Sequence, residues 1–312
     1  MKLISVITPC FNEEKNIYSC YERVKTVFEK YKGRYSYEHI ICDNSSTDNT
    51  FEILREIAAE DKNIKLIRNS RNFGVLKNNF NGVLSASGDA VILMIPADLQ
   101  DPPELIPEFI NYWESGYEIV FGLRKKREEF FILIILRKIY YRFLSLIANI
   151  NYPPDAGDFQ LADKKVIDAI KKSYIADPFM RMSTFDTGFK SIGIPYTWKK
   201  REFGKSNNNF FQMLIQGLDG ITSFSNIPIR LTIFMGFLIS ITSFLYVLIL
   251  FNLVFFGIVP RGDQGILTII GGLFLLGGVQ IFSIGIVGEY VVRVLNQVRA
   301  KPHVIERERV NF

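Results

Sequence analysis

Leu93-Met94-Ile95-Pro96-Ala97-Asp98-Leu99-Gln100-Asp101-Pro102-Pro103-Glu104 is the stretch on which the fold turns. The apolar run Ala90 to Ile95 has the composition of a buried strand, and Pro96 ends it. Two acids and an amide follow, and the pair Pro102-Pro103 suits the first turn of a new helix. In open α/β sheets, ligands bind outside the carboxyl ends of the strands. Asp98, Gln100 and Asp101 are therefore expected at a crevice. Hard oxygen donors there suit Mg²⁺ or Mn²⁺ held against a diphosphate. The same residues would also serve a solvated loop in which an Asp caps the next helix. The rest of the chain decides between the two.

Upstream, strands and helices alternate. Leu3 to Thr8 reads as a strand, followed by Pro9-Cys10-Phe11-Asn12-Glu13-Glu14, with Asn12 as N-cap of a helix over Ile17 to Tyr31. Tyr37 to Cys42 reads as a second strand, ending in the polar turn Asp43 to Thr50. Phe51 to Glu60 has helical spacing, and Ile64 to Arg68 reads as a third strand. Gly74 opens a helix to about Ser87, and Gly88-Asp89 turns the chain into Ala90. Downstream, Leu105 to Ser115 reads as a helix and Glu118 to Gly122 as a strand. Asp155 to Gln160 reads as a turn before a helix ending near Ser173, and Met180 to Pro195 as a return to the sheet. Such alternation predicts a mostly parallel, doubly covered α/β sheet.

Composition adds a membrane part. Hydrophobic residues make up 48% of the 312 residues beside 22% charged ones, and mean hydropathy is +0.14. Residues 231–259 and 265–288 carry no charge, and each is long enough to cross the roughly 30 Å hydrocarbon core. Glycines in the second span permit close helix packing, and so a homo-oligomer. Lys199, Lys200, Arg201, Lys205 and Arg230 precede the spans, and Arg293, Arg299, Lys301, Arg307 and Arg309 follow them. Only Arg261 lies in the connection. The positive-inside rule then puts both termini in the cytoplasm of a cell-membrane protein. Basic, aromatic residues 130–150, and residues 208–226, read as interfacial helices. The net charge of +5 is thus membrane-surface charge, with no basic-aromatic groove for nucleic acid. The start of the chain lacks the pattern of a signal peptide. Cys10, Cys20 and Cys42 are odd in number and form no CxxC pair. A reducing compartment fits, and a disulfide framework does not. His39 and His303 are the only histidines, which disfavours histidine metal sites and Ser-His-Asp chemistry.

These pieces together resemble the membrane-anchored family-two glycosyltransferases of the dolichol-phosphate mannose synthase type, most closely the bacterial polyprenyl-phosphate glycosyltransferases. The matching residues are Thr8 to Glu14, Asp43 to Thr50, Gly88-Asp89, Ala97 to Pro103, Gly157-Asp158-Phe159 and Arg201 to Ser206. The resemblance covers nearly the whole chain. It implies a GT-A, Rossmann-like domain over 1–228, two transmembrane helices within 229–289 and a basic cytoplasmic tail over 290–312. It also implies a nucleotide-sugar donor, expected to be UDP-linked, and a polyprenyl-phosphate acceptor. Thr8, Pro9, Phe11, Glu13 and Asp43 match nucleotide-binding positions, and Asp98 and Gln100 match the metal stretch. Arg201 matches a residue facing the donor diphosphate, Arg124 and Arg142 match the acceptor-phosphate side, and Asp158 matches an active-site acid.

Three residues depart from the family. Pro96 stands where a first metal acid is common, Asn44 where a second Asp is common, and Gln160 where an Arg is common. One carboxylate can still hold Mg²⁺ when phosphates and waters complete the shell. The expected reaction is transfer of one sugar with inversion. Two other readings stand beside it. A processive polysaccharide synthase would need more spans and usually carries Gln-x-x-Arg-Trp, which is absent. A non-catalytic membrane scaffold derived from a transferase is suggested by Pro96 and Asn44.

Overall fold

A single hydrogen-bonded sheet runs through the first unit of the chain in the order β7-β5-β6-β4-β1-β2-β3-β8. The strands are Lys2–Cys10 (β1), Tyr35–Asp43 (β2), Ile64–Asn69 (β3), Ala90–Ile92 (β4), Ile119–Arg124 (β5), Ala156–Asp163 (β6), Ser191–Tyr196 (β7) and Glu306–Val310 (β8). The structure is a computed structural model and describes residues 1–124, 153, 156–172, 179–197, 227–256, 264–298 and 302–312. The expected interfacial helices 130–150 and 208–226, Arg142, and the basic loop with Arg201 lie outside the described residues. The chain divides into two units, 1–214 with 300–312, and 215–299.

The sheet is mixed, but its direction is dominated by one sense. β1 to β4 are mutually parallel, β6 runs against both β4 and β5, β7 is parallel to β5, and β8 runs against β3. Only β6 and β8 therefore oppose the rest. Strand alternation separates two faces. Ile4, Val6, Ile92 and Tyr35 pack with Cys20, Val24 and Phe28 of the helix Ile17–Glu29 (α1) and with Phe109, Ile110 and Trp113 of Ile106–Glu114 (α4). Ile41, Ile64 and Leu66 pack with Leu54, Ile57 and Ala58 of Thr50–Glu60 (α2). Val75–Ser85 (α3) covers the other face of β1 and β2. It approaches closely enough that a Cβ on Gly82 would lie 2.7 Å from Ile7 and Cys42 side-chain atoms. Burial of these side chains is the main term favouring the fold, at about 25 cal/mol per Å² of apolar surface. Lys164–Lys172 (α5) and Met180–Asp186 (α6) complete the layer beside β6.

Most elements lie where periodicity places them, with exceptions: of the expected return to the sheet over Met180 to Pro195, Met180–Asp186 is helix and the strand is Ser191–Tyr196. The strand expected through Ile95 ends at Ile92, although Ile95 N–H still donates to Ile7 O at 2.8 Å. Asn12 does not cap α1: it has φ 57 and lies five residues before the first helical residue, Ile17. The expected turn at Gly157-Asp158-Phe159 is strand β6, with Phe159 and Leu161 in the core. The basic tail expected over 290–312 contains the end of a long helix and then β8, which pairs with β3.

The second unit contains Ile227–Phe255 (α7) and Gln264–Val298 (α8), of 29 and 35 residues. Leu275–Val292 is long and apolar enough to cross a membrane, the one such window found among the described residues. Thr232, Met235, Leu275, Gly278, Val279, Phe282 and Ser283 line an apolar groove of about 300 Å³ between α7 and α8.

Candidate active site

Two loops at the carboxyl ends of β1 and β2 are zipped together side chain to backbone. Asn12 N–H donates to Ser46 Oγ at 2.9 Å, and Asn12 Oδ1 accepts from Thr47 N–H at 2.8 Å. Glu13 N–H donates to Thr50 Oγ1 at 2.9 Å, and Glu14 N–H to Asp48 Oδ2 at 3.3 Å. Asn12 and Ser45 both hold positive φ, at 57° and 66°. That conformation is disfavoured for residues with a Cβ and persists where surroundings fix it. The polar run Asp43 to Thr50 is thus a rigid shelf.

Asp43 is buried at the back of this shelf. Ser46 N–H donates to both its oxygens, at 3.2 and 3.3 Å. Burial pushes its carboxyl above the ordinary range, and the Ser46 bonds and the nearby Arg68 offset part of that rise. Arg68, the register partner of Asp43, stacks over Phe51 at 4.2 Å. Its Nε lies 3.6 Å from Asp43 Oδ2 and is buried without a hydrogen-bond partner. Sequence reading missed Arg68, although its place at the end of a strand beside Asp43 was a usable signal. Phe11 and Glu13 are half-buried, and Glu13 Oε2 accepts from Asn16 at 2.6 Å. Pro9 is buried at the strand end. The Thr8 side chain is fully buried, and its hydroxyl lies 2.8 Å from His39 Nε2 inside the fold. Asn44 does not open toward a ligand either. Its Oδ1 accepts from Asn69 Nδ2 and Phe73 N–H at 3.0 Å each, and its Nδ2 donates to Asn72 Oδ1 at 2.9 Å. The departure at Asn44 therefore fixes the 69–74 loop, a task that a carboxylate, lacking a donor, could not fully perform.

The loop after β4 lies beside this shelf, because Ala97 packs in one cluster with Cys10 and Ile17. Asp98 and Gln100 are both half-buried, and Gln100 N–H donates to Asp98 Oδ1 at 3.3 Å. No group of three or more His, Cys, Asp or Glu side chains that could hold a metal occurs among the described residues. A carboxylate and an amide oxygen nevertheless fit an octahedral oxygen-loving cation that takes its other ligands from phosphate and water. Asp101 is not solvated. It is 2% exposed and accepts Arg124 Nη2 at 3.0 Å as well as the Tyr196 hydroxyl. Arg124 Nε donates to Tyr196 Oη at 3.1 Å. Burial works against the Arg124 charge, but Asp101 and Tyr196 outweigh it and its pKa rises. Burial and Asp101 push the Tyr196 hydroxyl up. The Arg124 guanidinium, expected on the acceptor-phosphate side, packs against Asp101 and Tyr196.

Asp158 points from β6 to Arg181 of α6 in a two-point pair, with Arg181 Nε donating to Oδ1 at 3.0 Å and Nη2 to Oδ2. The fully buried Gln160 joins the same two elements. Its Nε2 donates to Gly157 O and Arg181 O at 3.0 and 3.3 Å, and its Oε1 accepts from Thr184 at 2.7 Å. Gln160 is thus an interior strut, which explains why a neutral amide serves there.

This mixed sheet, with acidic loops at the carboxyl ends of its central parallel strands, has a GT-A-like α/β architecture. Residues 5–171 match the model of glycosyl transferase family 2. An uncharacterized glycosyltransferase, YkcC, of Bacillus subtilis is 37% identical over 299 residues, covering 96% of this chain and 91% of the relative. A prophage bactoprenol glucosyl transferase homolog of Escherichia coli is 32% identical, covering 97% and 98%. The solved glucosyl-3-phosphoglycerate synthase of Mycobacterium tuberculosis superposes with a TM-score of 0.50 at 20% identity, over 71% of this chain and 80% of that one. The chain belongs to glycosyl transferase family 2.

Proposed function

We propose that this enzyme transfers one sugar from a UDP-linked donor to a polyprenyl phosphate, with inversion, at the cytoplasmic face of the cell membrane. One observation carries the reading. The shelf Asp43 to Thr50 and the loop that carries Asp98 and Gln100 lie side by side in a chain that matches a bactoprenol glucosyl transferase homolog along almost its full length. Uracil offers an imide N–H and two carbonyls. Asp43 can accept the first, and the Arg68 guanidinium beside it can donate to a carbonyl. Phe11, Glu13 and Pro9 would wall the nucleoside.

Asp98 and Gln100 would hold Mg²⁺ or Mn²⁺, which when bound neutralises charge on the leaving diphosphate. Arg201 would add a second positive charge there and Arg142 would grip the acceptor phosphate; a guanidinium suits both jobs. The acceptor phosphate is already ionised near neutral pH, so no strong protein base is required. Asp158, held by Arg181, would orient a hydroxyl of the sugar or take a residual proton.

Membrane attachment has topological support. β7 and β8 belong to one sheet, and α7 and α8 lie between them in the chain. Crossings between two strands of one sheet must be even in number. If Leu275–Val292 crosses, the uncharged length of α7 is the natural partner crossing. The open surface over Gly285 and Gly288 would let a further helix approach, which supports a homo-oligomer.

The test is mass spectrometry of lipid products from polyprenyl phosphate and a panel of UDP-sugars. A polyprenyl phosphate carrying one sugar is expected. Chains of several sugars would favour a processive synthase. Binding of UDP-sugar and metal without any product would favour the scaffold reading.

A further inference from the structure

The loop that carries Asp98 and Gln100 is strained at the residue between them. Leu99 has φ 56, a left-handed backbone that a γ-branched side chain rarely adopts. Such a conformation persists only where its surroundings over-determine it. Two fixings are visible. The Leu99 side chain is buried in the cluster with Ile95, Ile106 and Phe109. Asp101, two residues on, is tied to the last residues of two strands: Arg124 of β5 and Tyr196 of β7, which are register partners. The Tyr196 ring has little freedom. It meets Phe159 edge-on at 6.1 Å, and it lies against Gly122, where a Cβ would fall 2.5 Å from the ring. Its hydroxyl is therefore aimed at Asp101 by packing.

We propose that Tyr196 is a positioning residue: with Arg124, and acting through Asp101, it holds Asp98 and Gln100 in the strained geometry that binds the cation of the donor diphosphate. The inference rests on the proposed function and deepens it. Tyr196 touches neither donor nor acceptor in this scheme. A packing role alone would show in stability and leave cation affinity unchanged.

The experiment uses the full chain in detergent and the variant Tyr196→Phe, which keeps the ring and removes the hydroxyl. Mn²⁺ binding is measured in the presence of UDP by electron paramagnetic resonance, without turnover, beside thermal unfolding and UDP affinity in the absence of metal. Removing an outer partner of a metal site typically weakens binding about 10- to 100-fold, and a loss of at least about ten-fold is expected here. Metal-free UDP affinity should stay at the wild-type value. Asp101→Asn should reproduce the Mn²⁺ loss, and the double variant should add little to it. Asp101→Asn also carries the test if Tyr196→Phe does not fold. Trp113→Phe, which removes the 2.7 Å bond from Trp113 Nε1 to Asp163, is the control: lower stability with unchanged Mn²⁺ affinity. Wild-type Mn²⁺ affinity in both Tyr196→Phe and Asp101→Asn overturns the inference while leaving the transferase reading intact. A wild-type protein that binds no Mn²⁺ yet transfers sugar overturns the inference alone; one that does neither overturns both.

Discussion

Asp98 is the residue at which the smallest chemical change should cost the most activity. Asp98→Asn keeps the size and the partly buried position and removes the only carboxylate proposed to hold the cation. Turnover should fall below one per cent of wild type, on the order of the 10²- to 10³-fold lost with a single electrostatic contact, while circular dichroism stays unchanged. Wild-type rates would remove Asp98 from the site. Asp158→Asn tests a different step. Asp158 sits in a strand and not at a helix start, so no capping role masks the result. A large fall in kcat with UDP affinity preserved is expected, as for an interaction made mainly in the transition state; calorimetry with UDP beside initial rates distinguishes this from a nucleotide-binding role. His39 provides a stability signal away from the chemistry. Burial lowers its pKa from 6.5 to about 3, with Asp61 opposing slightly. The unfolded chain therefore binds a proton that the folded chain refuses between those values, and stability must fall as pH drops from 6.5 toward 3. His39→Gln should make the melting temperature less steep over that window, by about one proton in the linkage slope. An unchanged slope would mean that another group controls the acid limb.

At the scale of elements, β8 shows what hydrophobic pattern alone does not reveal. Glu306-Arg307-Glu308-Arg309-Val310 has almost no apolar content, yet it pairs with β3 over Leu66, Ile67, Arg68 and Asn69. Charged residues are what an exposed edge strand uses to stay soluble, so its composition resembles a tail. Asn311 pins the end of the strand. It has φ 63, and its Nδ2 donates to Ala58 O at 2.7 Å and Ile64 O at 2.9 Å. Asn311→Ala should therefore destabilise the first unit by about 1–2 kcal/mol, the sum of a left-handed backbone and lost bonds; a melting temperature equal to wild type would show that the pin is dispensable. Strand β6 was hidden for the opposite reason. Its buried Gln160 and its Gly-Asp start look like a turn, and only the partners on α6 make that amide acceptable in a core. By contrast, β1 to β3 and α1 to α3 were legible, because their apolar residues recur at the periods that the two sheet faces require. The same division runs through the site. Asp98, Gln100, Asp43 and Glu13 were singled out by type and place, whereas the ties of Asp101 to Arg124 and Tyr196, and of Asp158 to Arg181, emerge only once distant segments meet.

At the scale of the whole molecule, the proposed topology predicts which added cysteines can be reached from outside the cell. The three native cysteines are buried, so added cysteines can be labelled against a quiet background. Arg261→Cys should react with an impermeant reagent on intact cells, and Arg307→Cys, on the exposed side of β8, should react only after lysis. External labelling at 307 would sink the cytoplasmic assignment of the sheet. The pairing of β3 with β8 has a further meaning for biogenesis. More than 230 residues separate Asn69 from Glu306 along the chain, and both long helices are synthesised between them. During synthesis β3 leaves the ribosome with one edge bare and keeps it bare until those helices have been made. Closing so long a loop is slow and exposes an unpaired edge meanwhile. The catalytic sheet is thus finished only after both long helices, and completion of its fold reports that they have already been made.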